Sequence, residues 1–338
     1  MKSYDLGTPE TAWWLPQIEE RGAVLLIDGI IRPNRWPPAE QLNLAADGKI
    51  VPGIDYLEMT GNAIGVRGMV PIPAVFGERS EIVLRLARET GQSLRDWDQF
   101  HIARPGMPSP IPLPPAKLTN RAIWQSPRVF DKWGYALKRK IDEALAPHLP
   151  APMSSLRLLD WGCGCGRLAK YFAGECAYTG IDIDAEAIAW CRANIPGATF
   201  ELQNLEPRTK FARDSFDLAT GISIFTHLRE EDQFSWLEEL SRVVKHGGIV
   251  AVSVNGPTSL FNANYPSSVQ DTLKTQGFCD TGVEDTLKGV TSDDSYYRNV
   301  YHTHDYIRER WSQWFEVLAV LPAFVSNMQD MILLRPRP

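Results

Sequence analysis

With 338 residues the chain is longer than one average domain, so one large or two smaller domains are expected. Its 44% hydrophobic content suits buried cores, while 41 acidic against 35 basic residues leave a net charge of −6. That balance argues against nucleic acid as the main partner, because grip on a phosphate backbone comes from clustered Lys and Arg. No apolar run reaches the roughly 18 residues that a membrane helix needs, and the first residues lack the apolar stretch of a secretory signal. Five cysteines are an odd count for a disulfide framework, so reduced thiols and a cytoplasmic location are expected.

Residues 1–97 read as a small β-rich, sandwich-like domain. Short apolar runs such as "AVLLIDGIIRP", "MVPIPAVFG" and "EIVLRLA" are separated by turn residues, and Asp28-Gly29 and Asp47-Gly48 are hairpin signals. Residues 98–117 read as a linker, with six prolines between Pro105 and Pro115 that cannot join a ladder or a helix interior. From residue 118 the pattern changes. "SPRVFDKWGYALKRKIDEALAPH" has apolar residues at helical steps (Phe130, Trp133, Leu137, Ile141, Leu145), and strand and helix patterns then alternate. The strands are "LRLLDW", "YTGIDI", "TFEL", "FDLATGISIF" and "IVAVSV"; the helices include "RLAKYFA", "AEAIAWCRAN" and "EDQFSWLEELSRVVK", the last stopped by His246-Gly247-Gly248. "HDYIRERWSQW" (helix), "FEVLAV" and "MQDMILLR" (strands) close the chain. Such alternation predicts an α/β fold with a mostly parallel sheet covered on both faces.

The first of these strands runs into "LLDWGCGCGR", which admits three readings. A structural metal site needs about four ligands in separated pairs, and Cys163 and Cys165 have no second pair nearby, so no metal is expected. A dinucleotide loop has the spacing GxGxxG, whereas Gly162, Gly164 and Gly166 give GxGxG with Arg167 at the place of the third fingerprint glycine. Asp182 does follow twenty positions after Gly162, where a carboxylate accepting from a ribose is expected. The loop therefore suits a nucleoside-containing ligand without a pyrophosphate.

These residues resemble the first motif of class I S-adenosylmethionine-dependent methyltransferases, in a subgroup with "GCGxGR" and "FTHL". The likeness continues in order through "YTGIDID", "LQNLEP", "FDLATGISIFTHL", "LEELSRVVKHGG" and the terminal strand pair. It implies a seven-stranded, mostly parallel Rossmann-like sheet with an antiparallel last strand over 118–338, a substrate lid at 256–301, and S-adenosylmethionine as cofactor. Carried over residue by residue, it implies donor contacts from Asp160, Gly162, Cys163, Gly164 and Gly166. It adds Asp182 and Ile183 at the ribose, Asn204 and Leu205 at the adenine, Gly221 and Ile222 after the fourth strand, and Arg121 at the donor carboxylate. The glycines without Cβ atoms let the backbone approach the ligand. Asp184 reads as a helix N-cap and Arg167 as a cap of the turn's carbonyls.

For the transfer itself, His227 beyond the fourth strand is the leading base, with Asn255 after strand five, His302 and Tyr297 as further catalytic candidates. Tyr135, Tyr296, Tyr301 and His304 are weaker candidates for ligand contact, and Asp293 and Asp294 read as a solvated turn. The resemblance to enzymes found beside glycosyltransferases implies methylation of a saccharide or glycan-intermediate hydroxyl. A small natural product or amine, or a silent S-adenosylmethionine-binding scaffold, are the alternatives. The expected partners are a small-molecule or saccharide acceptor and, as an open option, a second copy in a homodimer.

Overall fold

The computed structural model describes residues 13–21, 24–32, 43–46, 49–59, 63–77, 81–87, 99–103, 111–123, 127–262, 266–290, 292–326 and 328–338. The chain divides into two units, Met1–Pro112 and Leu113–Pro338.

In the first unit, β1 (Trp13–Arg21), β2 (Val24–Arg32), β5 (Ile54–Met59) and β6 (Ala63–Pro71) form one antiparallel sheet in the order β1-β2-β6-β5. A second sheet, ordered β4-β3-β7-β8, contains β3 (Asn43–Ala46), β4 (Lys49–Ile50), β7 (Glu81–Ala87) and β8 (Gln99–Ala103). Ile27 and Val66 from the first sheet pack with Leu44 and Ile82 from the second, joined by Val75 and Phe76 of the short helix α1 (Ile72–Phe76). Two sheets sharing one core make a β-sandwich.

Two expectations change here. Asp28-Gly29 is not a turn: β2 runs through it in unbroken register, Asp28 opposite Arg67 and Gly29 opposite Val66, because the apolar residues on both sides belong to one strand. Residues 99–103, assigned to the linker, form β8 and pair with β7; the run Gln-Phe-His-Ile-Ala carries the alternation of a strand. Asp47-Gly48 and most of the proline run (104–110) lie outside the described residues.

The second unit begins with α2 (Ala116–Ile123) and α3 (Pro127–Leu145). Then come β9 (Arg157–Trp161), α4 (Ala169–Phe172), β10 (Ala177–Asp182), α5 (Ala185–Asn194), β11 (Ala198–Leu202) and β12 (Phe216–Gly221). After α6 (Glu230–Val243) and β13 (Val244–Val254) the chain makes α7 (Pro257–Asn262), α8 (Ser267–Gln276) and an antiparallel pair, β14 (Phe278–Val283) with β15 (Arg298–His302). It ends with α9 (His304–Arg310), β16 (Phe315–Val325) and β17 (Gln329–Pro336). The seven-stranded sheet has the order β11-β10-β9-β12-β13-β17-β16; β9 to β13 are mutually parallel and β17 is antiparallel to both its neighbours. This is the α/β, Rossmann-like sheet expected from the sequence.

Its largest core gathers Trp236, Leu237 and Leu240 of α6 with Trp311 and Phe315 against β12, β13 and β17. Each such fully buried side chain contributes about 1.5–3 kcal/mol of burial energy. Asp184 caps α5 by accepting from the backbone of Glu186 and Ala187 at 3.0 and 3.2 Å.

Candidate active site

After β11 the chain returns to the other side of β9 to make β12, so the strand order reverses between β9 and β12. Ligand crevices of open parallel sheets form at such a reversal. A cavity of about 1130 Å³, counted out to its mouth, opens there.

Its floor is the glycine turn. Gly162, Gly164 and Gly166 have φ of +76°, +53° and +84°, a left-handed backbone that favours glycine. The three differ in what surrounds them. A Cβ on Gly162 would lie 2.0 Å from the Ile224 side chain and one on Gly166 2.4 Å from Ile195, so both are needed for packing. A Cβ on Gly164 would meet nothing within 4 Å, leaving the middle of the turn open to the cavity. Beneath it the Sγ atoms of Cys163 and Cys191 lie 3.6 and 3.5 Å from the Gly164 carbonyl, and both thiols are buried.

Two carboxylates flank the turn. Asp160, 3% exposed, accepts from the hydroxyls of Thr220 (2.9 Å) and Tyr178, and burial holds its pKa above the ordinary value. Asp182 accepts from the Gly164 N–H at 2.7 Å with one oxygen and from the Asp184 N–H at 2.8 Å with the other. Burial pushes its carboxyl up to about 6, against those two hydrogen bonds. Each carboxylate oxygen keeps a second acceptor position. Asp182 can thus take the two hydroxyls of a ribose while its backbone bonds fix its orientation.

Gln203, just past β11, also lines the cavity. Its amide nitrogen donates to Asn204 Oδ1 and to the carbonyls of Glu206 and Arg208 at 3.0–3.1 Å, which leaves Oε1 as an acceptor for an amino group.

On the opposite wall the loop after β12 carries Ser223 at φ +62°, an uncommon conformation for a side-chain-bearing residue. Its N–H donates to Ser253 Oγ at 2.7 Å and its hydroxyl to Gln329 at 3.0 Å. Four residues on stands His227, whose ring stacks on Tyr297 with centroids 3.8 Å apart. Its Nδ1 lies 2.6 Å from the Arg298 carbonyl oxygen. A carbonyl only accepts, so Nδ1 carries the hydrogen and Nε2 keeps its lone pair. Burial lowers the imidazole pKa to about 4, so the ring is neutral at ordinary pH.

Among the residues singled out from the sequence, Arg121, Asp160, Gly162, Cys163, Gly164 and Asp182 meet at this cavity. Ile183, Ile222, His227, Tyr296 and Tyr297 join them. Others lie off its wall. Gly166 and Gly221 are packing glycines: a Cβ on Gly221 would come within 2.7 Å of Trp161. Asn204 is exposed, and it is Gln203 beside it that turns inward; Leu205 is not on the wall either. Asn255 braces β15, its side chain donating to the Val300 carbonyl at 3.1 Å and its own carbonyl accepting from His302.

His302 is wholly buried, with Nε2 at 2.8 Å from Gln233 Oε1. The Gln233 amide donates in turn to the carbonyls of Phe225 and Leu228. His302 therefore supports the loop that presents His227. His304 bonds to the buried Asp330 at 2.6 Å, Tyr301 belongs to a separate small core, and Tyr135 packs edge-on against Tyr171. Asp293 and Asp294 accept from neighbouring loop groups, as a solvated turn does.

Sequence reasoning missed Gln203, Ser223, Trp161, Trp236 and Leu287 at the wall. Trp161 and Gln203 adjoin motif residues, and that adjacency was the available signal; Trp236 reads only as a core position of a helix.

Residues 158–248 match the family model described as "Methyltransferase domain". The second unit carries an S-adenosylmethionine-dependent methyltransferase domain. S-adenosylmethionine is the cofactor of this domain, and the open middle of the turn with the acceptors of Asp182 fits an adenosyl ligand. The chain is 26% identical over 146 residues to the ubiquinone biosynthesis O-methyltransferase of Brucella melitensis biotype 2, covering 42% of this chain and 52% of that one. It is 32% identical over 108 residues to the protein of the same name from Thiobacillus denitrificans, covering 30% and 46%. The chain thus spans about half the length of these curated relatives. Among solved structures, a SAM-dependent methyltransferase from Methanosarcina mazei aligns with TM-score 0.43 at 20% identity, over 57% of this chain and 96% of that one. One from Mesorhizobium loti aligns with TM-score 0.42 at 18% identity, over 58% and 97%. No described helix of the methyltransferase domain or of the first unit is long and apolar enough to cross a membrane.

Proposed function

We propose that the protein is an O-methyltransferase whose acceptor is a small molecule with a phenol-type hydroxyl. The observation that carries this reading is the neutral His227 imidazole on the cavity wall, fixed through Nδ1 by the Arg298 carbonyl so that Nε2 keeps its lone pair. When bound, S-adenosylmethionine supplies a methyl group already activated by its sulfonium. The chain's own residues do the rest. Asp182 accepts from the ribose hydroxyls, Gln203 Oε1 accepts from the adenine amino group, and the aromatic walls at Trp161, Tyr296 and Tyr297 exclude water. His227 Nε2 takes the acceptor's proton.

A buried, neutral imidazole is a weak base, which favours an acidic acceptor hydroxyl. A phenol, at about 10 like the tyrosine side chain, gives up its proton to such a base with the smaller penalty. An aliphatic or sugar hydroxyl, near the value of about 16 for water, carries the larger one. The relatives' O-methyltransferase names support an oxygen acceptor, and the aromatic side chains of the cavity wall suit a planar one. The saccharide acceptor, the homodimer and the cytoplasmic location expected from sequence rest on that reading alone.

The test is release of S-adenosylhomocysteine with panels of phenols, nucleotide sugars and amines. Turnover confined to phenols, and lost in His227→Ala, supports the proposal. Turnover on sugars that disappears when residues 1–97 are removed favours the saccharide reading, and donor binding without turnover on any panel favours the scaffold.

A further inference from the structure

The cavity wall carries two arginines, and they differ in what already holds them. Arg121 on α2 is committed: its guanidinium pairs with Asp184 at 2.5 Å and with Glu186 at 2.9 Å. Arg167, directly after the last glycine of the turn, is not. Its guanidinium makes no hydrogen bond or ion pair among the described residues, and the expected capping of the turn's carbonyls is not formed. Its main chain and Cγ are instead clamped by α3: a Cβ on Gly134 would lie 2.6 Å from the Arg167 carbonyl oxygen and 3.0 Å from Cγ. The stem of Arg167 is thus held against α3, and the residue lines the cavity.

The remaining charged groups lining the cavity are acidic: Asp160, Asp182 and Asp184. Asp184 is satisfied by Arg121 and by the α5 N-terminus, and Asp160 by two hydroxyls. Burial works against the charge of Arg167, and the nearby Asp160 favours it without forming an ion pair. A partly buried guanidinium in that setting gains most from an anion that enters with a ligand, and its fork matches a carboxylate in two parallel bonds.

We propose, resting on the donor assignment above, that Arg167 rather than Arg121 holds the carboxylate of the donor's amino-acid end. The glycine turn then carries the recognition of both ends of the donor: Asp182, tied to Gly164, takes the sugar, and Arg167, two residues after Cys165, takes the carboxylate.

Calorimetry on the full chain with S-adenosylmethionine and with its decarboxylated analogue tests this. The wild type should bind the full donor about ten- to a hundredfold more tightly than the analogue, the worth of a charged hydrogen-bonded pair. Arg167→Met should lose that difference and leave affinity for the analogue unchanged, with Arg167→Lys intermediate; Arg121→Met should keep it. A loss in Arg167→Met and Arg167→Lys that is equal for both ligands, or a difference lost only in Arg121→Met, overturns the assignment. So does a wild type that binds both ligands equally, a readout that needs no variant to fold. A wild type that binds neither ligand overturns the donor reading itself.

Discussion

Asp182 makes donor binding sensitive to acid. Its carboxyl titrates near 6 because burial disfavours the charge, and only the ionised form offers acceptors to both ribose hydroxyls. Affinity for S-adenosylmethionine should therefore hold above that value and weaken as pH falls through about 6, up to tenfold per unit. Calorimetry from pH 5 to 8 checks this, and Asp182→Asn should bind weakly with no such inflection. The free fold responds in the opposite sense: a carboxyl raised from 3.8 contributes stability at low pH that is lost as pH rises towards about 6. His227 should add no second inflection in that range, since its pKa of about 4 keeps it unprotonated. Replacing it with Ala should cost about 10²–10⁴ in kcat, the usual worth of a general base, while donor affinity measured by calorimetry stays within about twofold. At this scale the sequence was readable where a motif fixes backbone chemistry, as with Asp182. It was not readable where a side chain's direction decides: Asn204 and Gln203 are neighbours of equal polarity, and only the three carbonyls that capture the Gln203 amide show which one turns inward.

The elements around the turn separate folding from binding. Gly162 and Gly164 share a left-handed backbone, yet one Cβ would collide with Ile224 and the other would point into open space. Gly162→Ala should lower stability by about 1–3 kcal/mol through overpacking, seen as a lower denaturation midpoint. Gly164→Ala should cost less stability, from the positive φ alone, and lose donor affinity by a larger factor. A midpoint shift as large for Gly164→Ala as for Gly162→Ala would contradict this division. The same scale shows which elements the sequence makes visible. The helix "AEAIAWCRAN" appears with the predicted bounds because Asp184 caps it and its strands flank it closely. The predicted "RLAKYFA" helix shrinks to Ala169–Phe172 because the glycine turn holds the backbone until Leu168. "HGG" did not stop a helix; α6 ends at Val243 and these residues enter β13 at an irregular register, where a Cβ on Gly248 would approach the Asp217 carbonyl to 2.5 Å. Asp28-Gly29 misled for the related reason that neighbouring strands, absent from any local window, decide whether a turn-prone pair bends.

Across the molecule, the order of strands is what creates the cavity: a chain that builds β9, β10 and β11 outward and then steps back to β12 opens a crevice that no single motif contains. The alternation of helices and strands made this sheet legible. The division falls between Pro112 and Leu113, so the first unit includes β8, which lies at 99–103 within the stretch expected as linker. Leu113–Pro338 contains its own core and every residue of the cavity wall, so this part alone should unfold cooperatively and bind the donor within about threefold of the full chain. In that cavity the glycine turn and Asp182 should clasp an adenosyl ligand. The most direct test is a crystal structure of the protein with S-adenosylhomocysteine. Both ribose hydroxyls should lie within hydrogen-bonding distance of the Asp182 carboxylate, over the open face of Gly164. A ligand seated elsewhere, or a ribose out of reach of Asp182, would contradict this.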